Sequence, residues 1–326
     1  MKGLVTVFGG SGFVGSQIVR ALARSGSRVR VAVRNPGRGY RLRMLGDVGQ
    51  IEVVQANVRD DASVARALEG AEGCVNAVAI LYESGRQTFE GVHIDGARRI
   101  ASLAAQAGVA RLTHISAIGA DTNSAAAYGR TKAGGEAAVR EAYPGAAIIR
   151  PSVVFGPEDH FFNRFAQMAA TSPALPLIGG GHTRMQPVFV ADVGAAVSRA
   201  VSSGEAAGRV FELGGPEVFT FRRLMEMMLE VIQRRRFLVS VPWPAASVLG
   251  AVGDLVAGVG VPPPITTDQV ALLRSDNVAA PGAPGLKELG VEPNALEAII
   301  PTYLYRYRRG GQYASQSEAL SNSPSA

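Results

Sequence analysis

The chain has one cysteine, three lysines and one tryptophan in 326 residues, and no long uninterrupted apolar run. A single cysteine excludes a disulfide framework. Cys74 lies in the apolar stretch GCVNAVAI and is expected to be a buried thiol in a reducing compartment. The apolar stretch LVSVPWPAASVLGAVGDLVAGVGVPPPIT (238–266) leaves only seventeen residues between Pro244 and Pro262, and these include glycines and Asp254. That is the lower limit for crossing a bilayer, and the prolines and the charge argue against a span. An interfacial or partner-facing helix and a core helix of a second lobe both fit it. The amino terminus MKGLVTVFGG runs straight into a strand pattern, so neither a secretory signal nor a transit peptide is expected. Zinc spacings, aromatic ladders and recognition-helix patterns are missing, so no metal site and no nucleic-acid partner are predicted.

Positive charge is carried almost entirely by arginine: Lys2, Lys132 and Lys287 are the only lysines among 33 basic residues, against 27 acids. Lys132 therefore marks a place where a guanidinium would not serve. Between Arg20 and Arg43 there are eight arginines and no acid, a run that suits a solvated face or contact with phosphate.

What is present is the make-up of a globular protein, 47% apolar and 18% charged, long enough for a full core. LVTVF, RVRVAVR, IEVVQ, CVNAVAI, RLTHIS and AAIIR read as short strands. Between them lie amphipathic segments such as FVGSQIVRALARSG, GARRIASLAAQAG and AAYGRTKAGGEAAVREAY. Alternating strands and helices predict an α/β fold, a doubly wound parallel sheet of Rossmann type with a smaller C-terminal α/β lobe. The large domain is assigned to 1–157, with 182–203 returning to it. The smaller lobe is assigned to 158–310, and the polar segment 311–326 to a disordered tail.

The stretch VFGGSGFVG follows the first strand and opens the first helix, with glycines at 9, 12 and 15. Gly9 allows a tight turn, Gly12 lets backbone approach a pyrophosphate, and Gly15 lets the helix pack close. The helix N-terminus adds amide N–H groups and a favourable dipole. Gly9, Gly10, Ser11, Gly12, Phe13, Val14 and Gly15 are thus the expected phosphate cradle. At the tip of the second strand, where an NAD enzyme often has an acid for the ribose hydroxyls, stands Arg34, with Arg38 nearby. A guanidinium suits a 2′-phosphate, so NADP(H), and NADPH in particular, is the expected cofactor. Asn57, after the third strand, is placed either to touch adenine or to serve only as a turn residue.

Residues 128–132 read YGRTK, a Tyr and a Lys four apart among helix formers. Such a pair can run proton chemistry beside a nicotinamide or simply hold its ribose. A phenol needs a neighbouring cation to work near neutral pH. With the glycine pattern and Ser116 at a strand end, the chain resembles the short-chain dehydrogenase/reductase superfamily, in its extended or atypical branch. That resemblance implies Tyr128 as general acid/base, Lys132 as ribose clamp and Ser116 as the hydroxyl that orients substrate. The chain departs from the pattern in three places. Ser116 and Tyr128 are only twelve positions apart, His93 in HIDG replaces a common Asn, and Phe8 replaces a Thr before the first glycine.

The second half is more specific. RPSVVFGPEDHFFNRFAQMA, LPLIGGGHTRMQPVFVADVG, FELGGPEVFTFRRLMEMM and TTDQVALLRSDN resemble the nucleotide-binding accessory subunit of respiratory complex I (NADH:ubiquinone oxidoreductase), in its alphaproteobacterial form. The resemblance implies tightly held NADPH without turnover. It also implies partners among the hydrophilic-arm and membrane-adjacent subunits of complex I, at the cytoplasmic face of the bacterial inner membrane. YLYRYRRGGQY (303–313), which interleaves Tyr and Arg, suits a membrane surface, a protein groove or an exposed tail. Two alternatives stay open: an active NADPH-dependent reductase or epimerase, for example on a nucleotide sugar, and an NADP(H) redox-sensing regulator.

Overall fold

The computed structural model describes residues 3–258, 263 and 265–311. The expected tail from 312 onward, with Gln312 and Tyr313 of the Tyr/Arg segment, lies outside the described residues. So do 259–262 and 264 of the apolar stretch.

The first half alternates strands and helices: β1 (Leu4–Phe8), α1 (Phe13–Arg24), β2 (Arg28–Val33), β3 (Ile51–Gln55), α2 (Asp61–Leu68), β4 (Gly73–Asn76), α3 (Gly96–Gln106), β5 (Arg111–Ile115), α4 (Ala127–Ala142) and β6 (Ala147–Pro151). There follow β7 (Val154–Phe155), α5 (Phe162–Thr171), β8 (Ala174–Ile178), β9 (Arg184–Met185), β10 (Val188–Phe189), α6 (Val190–Ser202), β11 (Val210–Leu213), β12 (Phe219–Thr220), α7 (Phe221–Val231) and β13 (Phe237–Val241). The chain then runs through α8 (Trp243–Gly258), α9 (Thr267–Leu272), α10 (Leu296–Ile299) and α11 (Pro301–Leu304).

Seven strands form one parallel sheet in the order β11-β6-β5-β4-β1-β2-β3. Strand order reverses between β1 and β4. A crevice at the carboxyl ends of the strands therefore opens at that switch point, where doubly wound folds bind ligands. The strands are apolar on both faces because both are covered. Val5 and Val7 of β1 pack with Ile18, Val19 and Leu22 of α1 and with Val193, Ala196 and Val197 of α6. Phe8 points the other way, into the cluster with Val64, Leu68, Ile100 and Ala104 of α2 and α3. Cys74 and Val75 divide between the faces in the same period-two way, and burial pushes the Cys74 thiol pKa upward. Helices α1 and α6 cross closely because Gly194 has no side chain: a Cβ there would stand 2.7 Å from the Gln17 carbonyl oxygen.

A third apolar cluster gathers Phe155, Phe162, Leu175, Leu177, Phe221, Leu224, Met228 and Tyr303 around α5 and α7. The short pairs β7–β10, β8–β13 and β9–β12 frame this lobe. The lobe is not one continuous stretch of chain, since α6, β11 and the segment with Leu286, Leu289 and Val291 all lie against the seven-stranded sheet. Helix α8 is half covered. Ala246 packs on Ile178 and Val270, while Val248, Leu249, Val252 and Leu255 of its other face are exposed. No helix among the described residues is long and apolar enough to cross a membrane.

Candidate nucleotide site

The glycine loop joins β1 to α1 at the switch point. Gly9 has φ 79°, a left-handed conformation that favours glycine, and a Cβ there would stand 2.8 Å from the Ala77 carbonyl oxygen. The Gly12 N–H donates to the Gly9 carbonyl at 3.0 Å and closes the turn. A Cβ on Gly15 would overlap the Gly9 carbonyl oxygen and come within 2.8 Å of Gly10 Cα, so Gly15 sets the helix against the loop itself. Gly12 differs: a Cβ would meet only Gly9 O, at 3.3 Å, and otherwise project into open space. Helix α1 starts there with no side-chain cap and no acid in its first turn. Its leading N–H groups have no intrahelical acceptor, so the mouth of α1 fits a pyrophosphate. Ser11, Phe13 and Val14 are partly exposed beside it.

Arg34 follows directly on β2, is exposed, and donates from Nη1 to Gln87 Oε1 at 2.6 Å. Arg38 is exposed in the next turn, and no acid stands between them. Two guanidinium groups thus stand at this end of the site, with no carboxylate between them. Asn57 sits in the turn between β3 and α2, where its Oδ1 accepts the Arg59 N–H at 3.1 Å. Its amide nitrogen makes no hydrogen bond of this turn.

The other end is built on β5 and α4. Ser116 follows directly on β5, is buried, and its Oγ has no partner among the described residues. The neighbouring Ile115 carbonyl accepts from Lys132 Nζ at 2.7 Å. Burial pulls the Lys132 amine down to about 8, against an upward pull from Glu136. Glu136, itself buried, holds α4 to the sheet through a bidentate pair with Arg150 of β6, at 2.7 Å for both bonds. Arg150 reaches on to Glu212 of β11 at 3.2 Å.

Tyr128, partly exposed in the first turn of α4, is held edge-on by His93 (centroids 5.4 Å, 89°) and by Phe89 (6.1 Å, 80°). Its phenol is pushed up to about 12 by burial and by the nearby Asp268 carboxylate. His93 stands on a π-helical turn, Glu90–Asp95, that leads into α3. Its Nε2 accepts the Ile80 N–H at 3.2 Å, which makes Nδ1 the protonated nitrogen, 3.0 Å from Thr131 Oγ1. Thr131 donates in turn to the Ala127 carbonyl at 2.8 Å. Burial, with Lys132 near, lowers His93 to about 3, so it is neutral at physiological pH. His93 thus ties the Ile80 backbone to the Thr131 side chain beside Tyr128.

Sequence reasoning missed Asp268. From α9 its carboxylate accepts the N–H of Ala127 at 2.5 Å and of Tyr128 at 3.1 Å, capping α4. Asn277 was missed as well: its Oδ1 accepts from Ser152 Oγ at 2.6 Å and from Val153 N–H at 2.9 Å, where β6 passes into the second lobe. Both lie in TTDQVALLRSDN, quoted above only as a mark of resemblance. The glycine loop and Arg34 follow directly on β1 and β2, Ser116 follows β5, and Lys132 reaches the Ile115 carbonyl, so all stand at the carboxyl ends of the strands. No group of His, Cys, Asp and Glu among the described residues could hold a metal ion.

Comparison with known proteins agrees with this geometry. The profile of the NAD dependent epimerase/dehydratase family matches residues 5–214. The NADH dehydrogenase [ubiquinone] 1 alpha subcomplex subunit 9 of Arabidopsis thaliana is 34% identical over 321 residues, 95% of this chain and 80% of that protein. A ceramide reductase of Caulobacter vibrioides is 32% identical over 260 residues, 78% of each chain. Among solved structures, an NADPH-dependent quinone oxidoreductase of Escherichia coli, complexed with NADPH, superposes with a TM-score of 0.72 at 20% identity, over 91% of this chain and 99% of that one. The chain belongs to the NAD dependent epimerase/dehydratase family, within the extended short-chain dehydrogenases/reductases, and is a homologue over nearly its whole length of the complex I alpha subcomplex subunit 9 proteins.

Proposed function

We propose that this chain is an NADPH-holding accessory subunit of respiratory complex I that supports assembly or stability of the complex and does not turn its cofactor over. The observation that carries this reading is the match to a complex I subunit across 95% of the chain. In this reading the glycine loop, Gly9 to Gly15, and the first amides of α1 take the pyrophosphate, and Arg34 takes the 2′-phosphate. The Asn57 amide faces the adenine, and Tyr128 with Lys132 holds the nicotinamide ribose. NADPH, when bound, would supply a hydride. A phenol pushed up to about 12 stays protonated at neutral pH, so it can donate a hydrogen bond but is a poor proton donor. Lys132 spends one N–H on Ile115 O and has two left for ribose hydroxyls.

The partners in this reading are the hydrophilic-arm and membrane-adjacent subunits, with the protein held peripherally at the cytoplasmic face of the inner membrane. The test is affinity purification of tagged protein from gently detergent-solubilised membranes. Complex I subunits in fixed proportion, with NADPH released on denaturation, are expected; the chain alone in the soluble fraction refutes the reading. A second reading, an active NADPH-dependent reductase, is favoured by the 32% identity to a ceramide reductase and by the unpartnered Ser116 Oγ at the site. Rapid NADPH oxidation with a carbonyl or quinone substrate, abolished in Tyr128→Phe, would establish it.

A further inference from the structure

Helix α4 begins after Ala126, a residue with no side chain able to cap it. Its cap comes from 141 positions further along: the Asp268 carboxylate takes the Ala127 and Tyr128 N–H groups. Asp268 also stands in the first turn of α9, so one negative charge faces the N-terminal ends of two helices. Its neighbour Thr267 turns the other way, onto α8. The Thr267 hydroxyl donates to Asp254 Oδ2 at 2.5 Å, and its N–H donates to Asp254 Oδ1 at 3.3 Å.

Helix α8 comes this close because two of its residues are glycines. A Cβ on Gly250 would stand 2.8 Å from Thr267 backbone atoms, and one on Gly253 would overlap the Ile265 carbonyl oxygen. The far face of α8 carries Val248, Leu249, Val252 and Leu255, 65%, 50%, 54% and 76% exposed. Among the described residues the apolar cluster that holds α8 is small, Ile178, Ala246 and Val270 with a few half-buried neighbours. Helix α9, six residues long, cannot hold itself in water. Segments of this kind lie at the low end of local stability, and their order depends on the few contacts that tether them.

We propose that Asp268 and Asp254 form a link through which occupancy of the nucleotide site sets the order of α8 and its exposed apolar face. The inference rests on the NADPH-holding reading above. A nucleotide gripped by Tyr128 and Lys132 firms the first turn of α4, which firms Asp268, then Thr267, then Asp254 on α8. Linkage is reciprocal, so immobilising α8 tightens nucleotide binding by the same factor.

The experiment is hydrogen–deuterium exchange with mass spectrometry on the full chain, with and without NADPH, for wild type, Asp254→Asn and Thr267→Val. Neither variant touches the nucleotide site. In wild type, NADPH is expected to slow exchange in 9–15, in 127–131 and, by about threefold or more, in 244–256. In both variants the first two effects persist and the slowing in 244–256 is lost. Protection of 9–15 and 127–131 without any change in 244–256 of wild type refutes the link and leaves the nucleotide reading standing, as does transmission that survives in both variants. No protection at 9–15 refutes the nucleotide reading and the link with it.

Discussion

Gly12 and Gly15 are only three positions apart, yet adding one methyl group to each should give opposite results. In Gly15→Ala the new Cβ meets the Gly9 carbonyl oxygen and Gly10 Cα, both backbone, so loop and helix must move apart. Overpacking of this kind costs about 1–3 kcal/mol. In Gly12→Ala the conformation (φ −77°, ψ 173°) is one that alanine adopts freely, and only Gly9 O lies within contact, at 3.3 Å. Alanine is a poorer N-cap than glycine but loses less chain entropy on folding. The two effects are each about 0.5–1 kcal/mol, and they oppose one another. The fold should therefore be indifferent to Gly12→Ala. Its methyl, however, stands at the mouth of α1, where the pyrophosphate must approach the backbone amides. Loss of one charge-assisted hydrogen bond, about 1.5–3 kcal/mol, weakens NADPH binding roughly 10- to 150-fold. Thermal melts and NADPH fluorescence titrations of both variants decide the matter. Gly12→Ala should melt like wild type and bind poorly, and Gly15→Ala should melt lower. A Gly12→Ala protein with wild-type affinity would refute the cradle.

Further outcomes follow from the same site. Arg34→Ala should raise the Kd for NADPH about 10-fold while leaving that for NADH within about twofold, as read by parallel titrations. Lys132, lowered from 10.5 to about 8 by burial, contributes stability that is present above about 10.5 and lost as pH falls through 8. Lys132→Met should therefore be more stable than wild type at pH 7, by about 2 kcal/mol once the lost Ile115 bond is counted, and the gap should close towards pH 10 in urea melts. His93, lowered from 6.5 to about 3, contributes stability that is present above 6.5 and lost as pH falls through 3. Wild type should lose roughly 3–5 kcal/mol across that window, and His93→Asn, which cannot take up that proton, should lose distinctly less. Equal acid profiles would show that His93 is not the group responsible.

The doubly wound sheet was legible because its determinants are local. Val5 and Val7 against Thr6 and Phe8, or Val29, Val31 and Val33 against Ala32, display the period of a strand covered on both faces. The loop from Gly9 to Gly15 identified itself by standing directly between such a strand and an amphipathic helix. What stayed hidden depends on contacts between distant segments. Asp268 in TTDQ looks like an ordinary first-turn acid of its own helix, and nothing local says that it caps another helix. His93 showed in the sequence only as a departure from a common Asn, because its role beside Tyr128 depends on Ile80 and Thr131, which lie 13 and 38 positions away. Asn57 shows the reverse case. The turn that its side chain makes is local, and the sequence could state it only as one of two readings.

The large sheet has an order of assembly built into it. Its edge strand β11 and the residues Leu286, Leu289 and Val291 complete the same cluster that holds Val5 and Val7. A ribosome that has delivered only β1 to β6 has released a sheet lacking its last strand, α6 and the apolar plug behind them. Ile148 and Ile149 of β6 then stand at an open edge, ready to pair with any other strand. Long loops must close before those contacts form, which slows folding and prolongs the exposure. The second lobe is laid down inside that interval, so the protein matures as a whole. Chains cut near residue 160 should collect in aggregates and not persist as a free nucleotide-binding domain, and their partition between pellet and supernatant after expression would show which.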